Sequence, residues 1–273
     1  MKKQFQLLVL TAAGLSVVVS TQGAADDDGK EEFVAPAVFQ AAGPTTQSIQ
    51  STVDQYRAAL GAVNNGNAVG PLASGRREIN WDGGGSTATT LDPTPMTRFL
   101  DSRGALFTTR GTGFVQAPLD GIAATFGNPS YAAIFQAFSP VRLFSAIGSN
   151  RTEVEFFQPG SGGNVPATTT GFGAVFSDVD RPDGSGPGGK GAIRRASTLI
   201  EYFDKHHRLL FSSLVPASPG DASLSFLGIV FRDARIAEVR ITAGDTAPGA
   251  DDTPHRDIVM MDDFLYGEPQ ATQ

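Results

Sequence analysis

The side chains of this sequence best suited to chemistry are acidic. The stretch Phe176-Ser177-Asp178-Val179-Asp180-Arg181-Pro182-Asp183-Gly184 sets two carboxylates two residues apart at the end of an apolar run, with a third in the Gly- and Pro-rich stretch that follows. On a strand alternate residues share a face, so Asp178 and Asp180 are expected to point the same way. Carboxylates held side by side repel unless a cation or a basic group lies between them, and Asp183, just before a glycine, can fold back to join the pair. An all-oxygen set of this kind suits Ca²⁺, which takes about six to eight oxygens in flexible geometry. The stretch does not match the EF-hand loop. The competing reading is a solvated strand end turning into an exposed loop, where Asp is common.

A second acidic pair lies in Met260-Met261-Asp262-Asp263-Phe264-Leu265-Tyr266. Neighbouring strand residues face opposite sides, so one of these carboxylates is expected to point inward among apolar neighbours. A buried carboxylate costs several kcal/mol unless it is paired or metal-bound. Its partner is then a structural Ca²⁺ or an arginine such as Arg76, Arg77 or Arg240. The single tryptophan stands in Asn80-Trp81-Asp82-Gly83. Its neighbours offer oxygen ligands and its indole offers a stacking surface for a sugar ring, although a lone Trp in a β protein is most often a core residue. His206 and His207 are adjacent in an expected hairpin turn and point apart, and His255 stands alone beside Asp257. Neither H-E-x-x-H nor G-x-S-x-G is present. Gly184-Ser185-Gly186-Pro187-Gly188-Gly189 matches G-x-G-x-x-G but contains Pro and opens no helix. Glu153 and Glu155 have the residue type of a glycosidase pair, in a context that reads as an exposed strand face.

The elements that must position these groups are mostly strands. Ile49, Val53, Tyr56 and Leu60 recur at steps of four, three and four, one face of a helix, with Thr46 or Ser48 at its start and Gly61 at its end. After Arg76 short β-branched and aromatic runs alternate with Gly, Pro, Asn and Asp: 78–81, 105–109, 113–116, 154–157, 171–179, 198–203, 209–215, 224–231, 236–242 and 258–266. That rhythm predicts a sandwich or barrel. Hairpins are expected at 204–208 and 232–235, and a second short helix at 130–138.

Lys2 and Lys3, the apolar run from Leu7 to Val19, and Gly23-Ala24-Ala25 before Asp26-Asp27-Asp28 have the form of a secretory signal peptide, with a run shorter than the ~20 residues that span a bilayer. No other stretch is apolar and long enough to span, so no membrane span is expected after cleavage. The absence of cysteine excludes disulfides and thiolate metal sites. The formal charge is −7, and cleavage would remove two lysines and no acid. Such a chain disfavours nucleic acid as a partner, because it brings no basic patch to the phosphates. The expected organisation is a signal peptide at 1–25, a flexible acidic and Ala/Pro leader at 26–45, a helix and polar turn at 46–75, a sandwich domain at 76–269 and a tail at 270–273.

Several phrases together carry a family resemblance: Gly75-Arg76-Arg77-Glu78-Ile79-Asn80-Trp81-Asp82-Gly83, Gly111-Thr112-Gly113-Phe114, Gly171-Phe172-Gly173-Ala174-Val175-Phe176-Ser177-Asp178-Val179-Asp180, and Met261-Asp262-Asp263-Phe264-Leu265-Tyr266-Gly267. From about Arg76 to Pro269 the chain resembles secreted bacterial proteins with lectin-like jelly-roll sandwich modules, including surface proteins of the exosortase-sorted type. It departs from the latter in lacking their C-terminal Pro-Glu-Pro signal, apolar helix and basic tail. The resemblance implies an all-β, jelly-roll-type antiparallel sandwich with a short N-terminal amphipathic helix. By analogy with related carbohydrate-binding sandwiches, it also implies a structural Ca²⁺ held near the end of the last strand by Asp262 or Asp263. The function expected first is a secreted or periplasmic non-catalytic binding module for extracellular glycan or another cell-surface polymer. A structural or adhesive envelope protein comes second and a polysaccharide hydrolase or lyase third.

Overall fold

A computed structural model describes residues 35–70, 72–83, 88–180, 198–251 and 256–272. Strands β1 (Ala37–Gly43), β2 (Arg76–Ile79), β3 (Thr90–Pro93), β4 (Ala105–Thr108), β5 (Gly113–Ala117), β6 (Leu143–Ile147), β7 (Arg151–Phe156), β8 (Ala167–Thr168), β9 (Gly171–Ser177), β10 (Leu199–Phe203), β11 (Leu209–Leu214), β12 (Leu224–Val230), β13 (Glu238–Thr242), β14 (Met260–Gly267) and β15 (Gln270–Ala271) are joined by helices α1 (Thr46–Leu60), α2 (Leu100–Arg103), α3 (Leu119–Phe126) and α4 (Tyr131–Ile134). Sheet A runs β1-β12-β9-β14-β6-β5-β3, with β2 also on β14, and sheet B runs β11-β10-β13-β7-β4. Every strand pair is antiparallel. From β6 to β14 the chain passes repeatedly between the sheets, so that β6-β14-β9-β12 faces β7-β13-β10-β11, the interleaving of a jelly roll.

Alternation builds the core. Phe172, Ala174 and Phe176 of β9 join Phe264 and Tyr266 of β14, Phe144 of β6, and Val154, Phe156, Ile200, Tyr202, Val239 and Ile241 of sheet B in one buried cluster. Contacts between the sheets fix their alignment. Phe107 of β4 meets Phe144, Phe156 of β7 meets Tyr266, and the Tyr202 hydroxyl of β10 donates to the Phe172 carbonyl of β9.

The outer face of sheet A is covered by helices. On α1 the expected stripe of Ile49, Val53, Tyr56 and Leu60 is buried against Val175, Leu224, Phe226 and Leu265. Further along, α3 and α4 bury Ile122, Phe126 and Tyr131 against Val115, Leu143 and Met260. The segment between Phe135, in the second patch, and Phe138, in the first, bridges the two.

The structure departs from the sequence reading in several places. Ala37–Gly43, read as part of a flexible leader, is β1, paired along its length with β12, because Val38, Phe39 and Ala41 pack on buried clusters. The tail contributes β15, which pairs with β8. The hairpin at 204–208 forms between β10 and β11, whereas 232–235 carries the chain from sheet A to sheet B. The helix expected over 130–138 is confined to Tyr131–Ile134. The signal-peptide residues, Asp183 and His255 lie outside the described residues.

Candidate metal centre and the open sheet

The two adjacent carboxylates of β14 are both buried, at 0% exposure for Asp262 and 3% for Asp263. Strict alternation would have buried only one. The register between β14 and β9 pairs Asp262 with Val175 and Phe264 with Ala174, leaving Asp263 as the extra residue of a bulge. Phe264 therefore still points into the core while both carboxylates lie on the helix-covered side. Here β14 also changes neighbour, pairing with β6 at Met261 and with β2 from Phe264 onward. The chain leaves β2 through Asn80-Trp81-Asp82, turning at Trp81 with φ 63°, and enters β6 through 139–142. These departing segments close over the bulge.

Each carboxylate turns one oxygen to donors outside the cluster and the other toward a shared point, where Asp262 Oδ1 also accepts the Asp263 N–H at 2.8 Å and Asp82 Oδ2 the Asn80 amide at 3.3 Å. Asp262 Oδ2 accepts the Phe138 N–H at 2.6 Å and the Ser139 N–H at 3.3 Å. Asp82 Oδ1 accepts the Val141 and Arg142 N–H groups at 2.6 and 2.9 Å. Asp263 Oδ2 pairs with the Arg57 guanidinium of α1 at 3.4 Å. The remaining oxygens surround the Ser139 hydroxyl: Asp263 Oδ1 at 2.7 Å, Asp82 Oδ2 at 3.2 Å, Asp262 Oδ1 at 3.3 Å and the Asn80 carbonyl at 3.4 Å. Burial and the neighbouring charge of Asp263 push the Asp262 carboxyl well above the usual carboxylate range. Burial raises Asp263 too, against the pull of Ser139 and Arg57. Among the described residues no three Asp, Glu or His side chains are gathered closely enough to hold an ion as they stand; these three surround a hydroxyl. The donor set is nonetheless all oxygen. Ligands sharing a Ca²⁺ at about 2.4 Å stand roughly 3 Å from one another, the spacing found around Ser139 Oγ.

The arginine beside the pair is Arg57, not one of the three expected. Arg76 pairs with Glu78, Arg240 with Glu153 and Glu238, and the fully buried Arg77 grips Glu268 at 2.5 and 2.7 Å. The other expected ligands lie apart from Asp262. Its partner on β9 is Val175, and Asp178 follows three residues later, beyond the strand end at Ser177. Asp178 adopts φ 69°, so strand alternation does not set its direction relative to Asp180. Asp180 Oδ1 accepts the Gly220 N–H, and its own N–H lies 3.4 Å from Asp257 Oδ1. Trp81 is 1% exposed, stacked on Phe144 with ring centroids 3.8 Å apart and edge-on to Phe99, Phe107 and Phe264. It offers no face to a sugar; its neighbours Asn80 and Asp82 are the residues at the site. Asp82 and Ser139 escaped the sequence reading as a pair because they stand 57 residues apart.

The outer face of sheet B carries no such cover among the described residues. Its outward positions are Leu199, Glu201 and Phe203 on β10, Glu238, Arg240 and Thr242 on β13, and Arg151, Glu153 and Glu155 on β7, aligned in register. Arg240 lies over the Phe203 ring at 4.5 Å and pairs with Glu153. Glu155 faces Glu238, and burial together with that charge raises its carboxyl. His207 Nδ1 stands 2.9 Å from Glu238 Oε2, and this contact raises the imidazole.

Among the described residues no helix is long and apolar enough to cross a membrane. No family model matches the chain, and no curated protein matches it. Among solved structures, the K2 cleaved adhesin domain of Lys-gingipain aligns over 66% of this chain and 99% of its own, at 7% identity and a TM-score of 0.31; identity and score at that level transfer neither fold nor residue roles to this chain.

Proposed function

We propose that the chain is an exported, non-catalytic binding module for an extracellular carbohydrate or cell-surface polymer, with sheet B as the binding face and a Ca²⁺ ion as a structural staple behind sheet A. The observation that carries the reading is the asymmetry of the sandwich. Helices cover the outer face of sheet A, whereas the outer face of sheet B presents a registered polar array, Glu201-Arg240-Glu153 across β10, β13 and β7. An array of charged donors and acceptors on a rigid sheet suits hydroxyl-rich or cationic polymers. Asp82, Asp262, Asp263, the Asn80 carbonyl and Ser139 Oγ would hold the ion, which would neutralise the buried carboxylates.

A second reading, an adhesive envelope protein without a small ligand, is favoured by one observation: no aromatic side chain of the described residues is among the exposed large hydrophobics. Recognition would then rest on polar contacts over a broad area. Retention on a panel of neutral, acidic and amino-sugar polysaccharides separates the two. Binding by the parent protein that is lost in Arg240→Ala and Glu201→Ala supports the module. Failure to bind any polymer in the panel with Ca²⁺ present removes the carbohydrate reading and leaves the adhesive one.

A further inference from the structure

We propose that two copies of this chain associate edge to edge through β11, extending sheet B across a two-fold axis. Sheet B ends in β4 on one flank and β11 on the other. The β4 edge is covered, since Met96 and Phe107 exchange backbone hydrogen bonds at 2.8 and 3.2 Å. The matching edge of sheet A, β3, carries Asp92 and Pro93, residues that discourage strand addition. The β11 edge has no such protection. Leu209-Leu210-Phe211-Ser212-Ser213-Leu214 contains neither charge nor proline, no described strand lies beyond it, and Leu209 and Leu214 are 54% and 43% exposed.

The unpaired groups can be located. The Val215 N–H bonds to the Thr198 carbonyl. Antiparallel alternation then turns Ser213 and Phe211 toward β10 and directs the N–H and C=O of Ser212, and the N–H of Leu214, to the free side. A second copy is the occupant that the charges fit. At one end of β11 the hairpin exposes Lys205 and His206, beside Arg208 paired with Asp204 and His207 paired with Glu238, in a chain whose formal charge is −7. Past the other end lie the exposed Asp221 and, held beside Gly220, Asp180. Antiparallel pairing about Ser212 sets Leu214 of each copy beside Leu210 of its partner and brings each basic hairpin level with the partner's acidic end. A parallel arrangement would set like ends together.

Sedimentation equilibrium of the purified protein tests this. A monomer–dimer equilibrium is expected, abolished by Ser212→Pro, which removes an outward N–H and leaves the bonds to β10 intact, and kept by Ser212→Ala, which retains the amide. Lys205→Glu and Asp221→Lys should each weaken the dimer by about tenfold, and the double reversal should regain it. A protein that stays monomeric into the millimolar range overturns the proposal, as does a dimer that survives Ser212→Pro with an unchanged melting temperature. Single reversals without effect, or a double variant weaker than either, would overturn the antiparallel register.

Discussion

A hydroxyl has one proton, and the Ser139 hydroxyl has four oxygens around it within 3.4 Å. It can donate to one of them. Three of the four belong to carboxylates, and the Arg57 guanidinium at 3.4 Å from Asp263 offsets one negative charge, so a proton or a bound cation is what would offset the rest. This gives a pH dependence whose sign is fixed. Asp262 and Asp263 are raised in the folded protein by burial, so their contribution to stability is complete below their unfolded value, about 3.9, and is lost as the pH rises through the folded one. Metal-free protein should therefore melt higher at pH 5 than at pH 7, with about 2–4 °C for each kcal/mol at this chain length. His207 and Glu155 are raised as well and act in the same direction, so the comparison belongs in a His207→Ala, Glu155→Gln background. Asp204, lowered because the cost of burial is outweighed by its bonds to Arg208 and His206, contributes in full above about pH 4 and loses that contribution only as the pH falls further, so it does not alter the comparison. With saturating Ca²⁺ the slope should reverse, because ligands must lose their protons to bind. Scanning calorimetry across that range decides it; a metal-free melting temperature that falls on acidification would remove the strain assigned to the pair.

The bulge in β14 and the docking of α1 are what bring these residues together, and they differ in how far the sequence reveals them. The helix is legible because apolar residues at helical spacing leave a periodic trace, and all four of the residues named by that trace are buried. A bulge leaves no trace in a single strand, because it is a relation between two strands. Hence Asp262 and Asp263 were legible as acids of which one must be buried, while their sharing of a face was not. β6 was missed because Leu143-Phe144-Ser145-Ala146-Ile147 has no alternation, being buried on both faces. The reason α1 can lie so close is also relational. Gly173 and Gly228 are cross-strand partners under the Tyr56 ring, and a Cβ on Gly228 would stand 2.7 Å from it. Gly228→Ala is predicted to cost about 1–3 kcal/mol by overpacking. In a Tyr56→Leu background the same change should cost less, since the two residues touch. Urea denaturation of the four proteins of this cycle measures the coupling, and strict additivity would mean that the ring does not set the spacing of helix and sheet.

Over the whole molecule the two sheets of the jelly roll differ in their helical cover, and this asymmetry lay beyond the sequence. Strand rhythm predicts a sandwich, and the topology shows one, but which face a helix covers depends on contacts far apart along the chain. The proposed ion site lies on the covered side, where β2, β6 and β14 meet beneath the segment that links the two helical patches. An ion bound there touches the folded state in three places distant in sequence, 80–82, 139 and 262–263, and has no counterpart in the unfolded chain, so it must stabilise globally. At Ca²⁺ about 100-fold above its Kd the gain is about 2.7 kcal/mol, or about 5–10 °C in melting temperature at this chain length, relative to protein in excess EDTA. Asp263→Ala and Asp82→Ala should abolish the shift. Asp178→Ala should retain it, because Asp178 lies beyond the end of β9 and away from the Ser139 cluster. Loss of the shift in Asp178→Ala as well would place the ion elsewhere, and coincident curves in Ca²⁺ and EDTA would leave Arg57 and a proton to neutralise the buried pair.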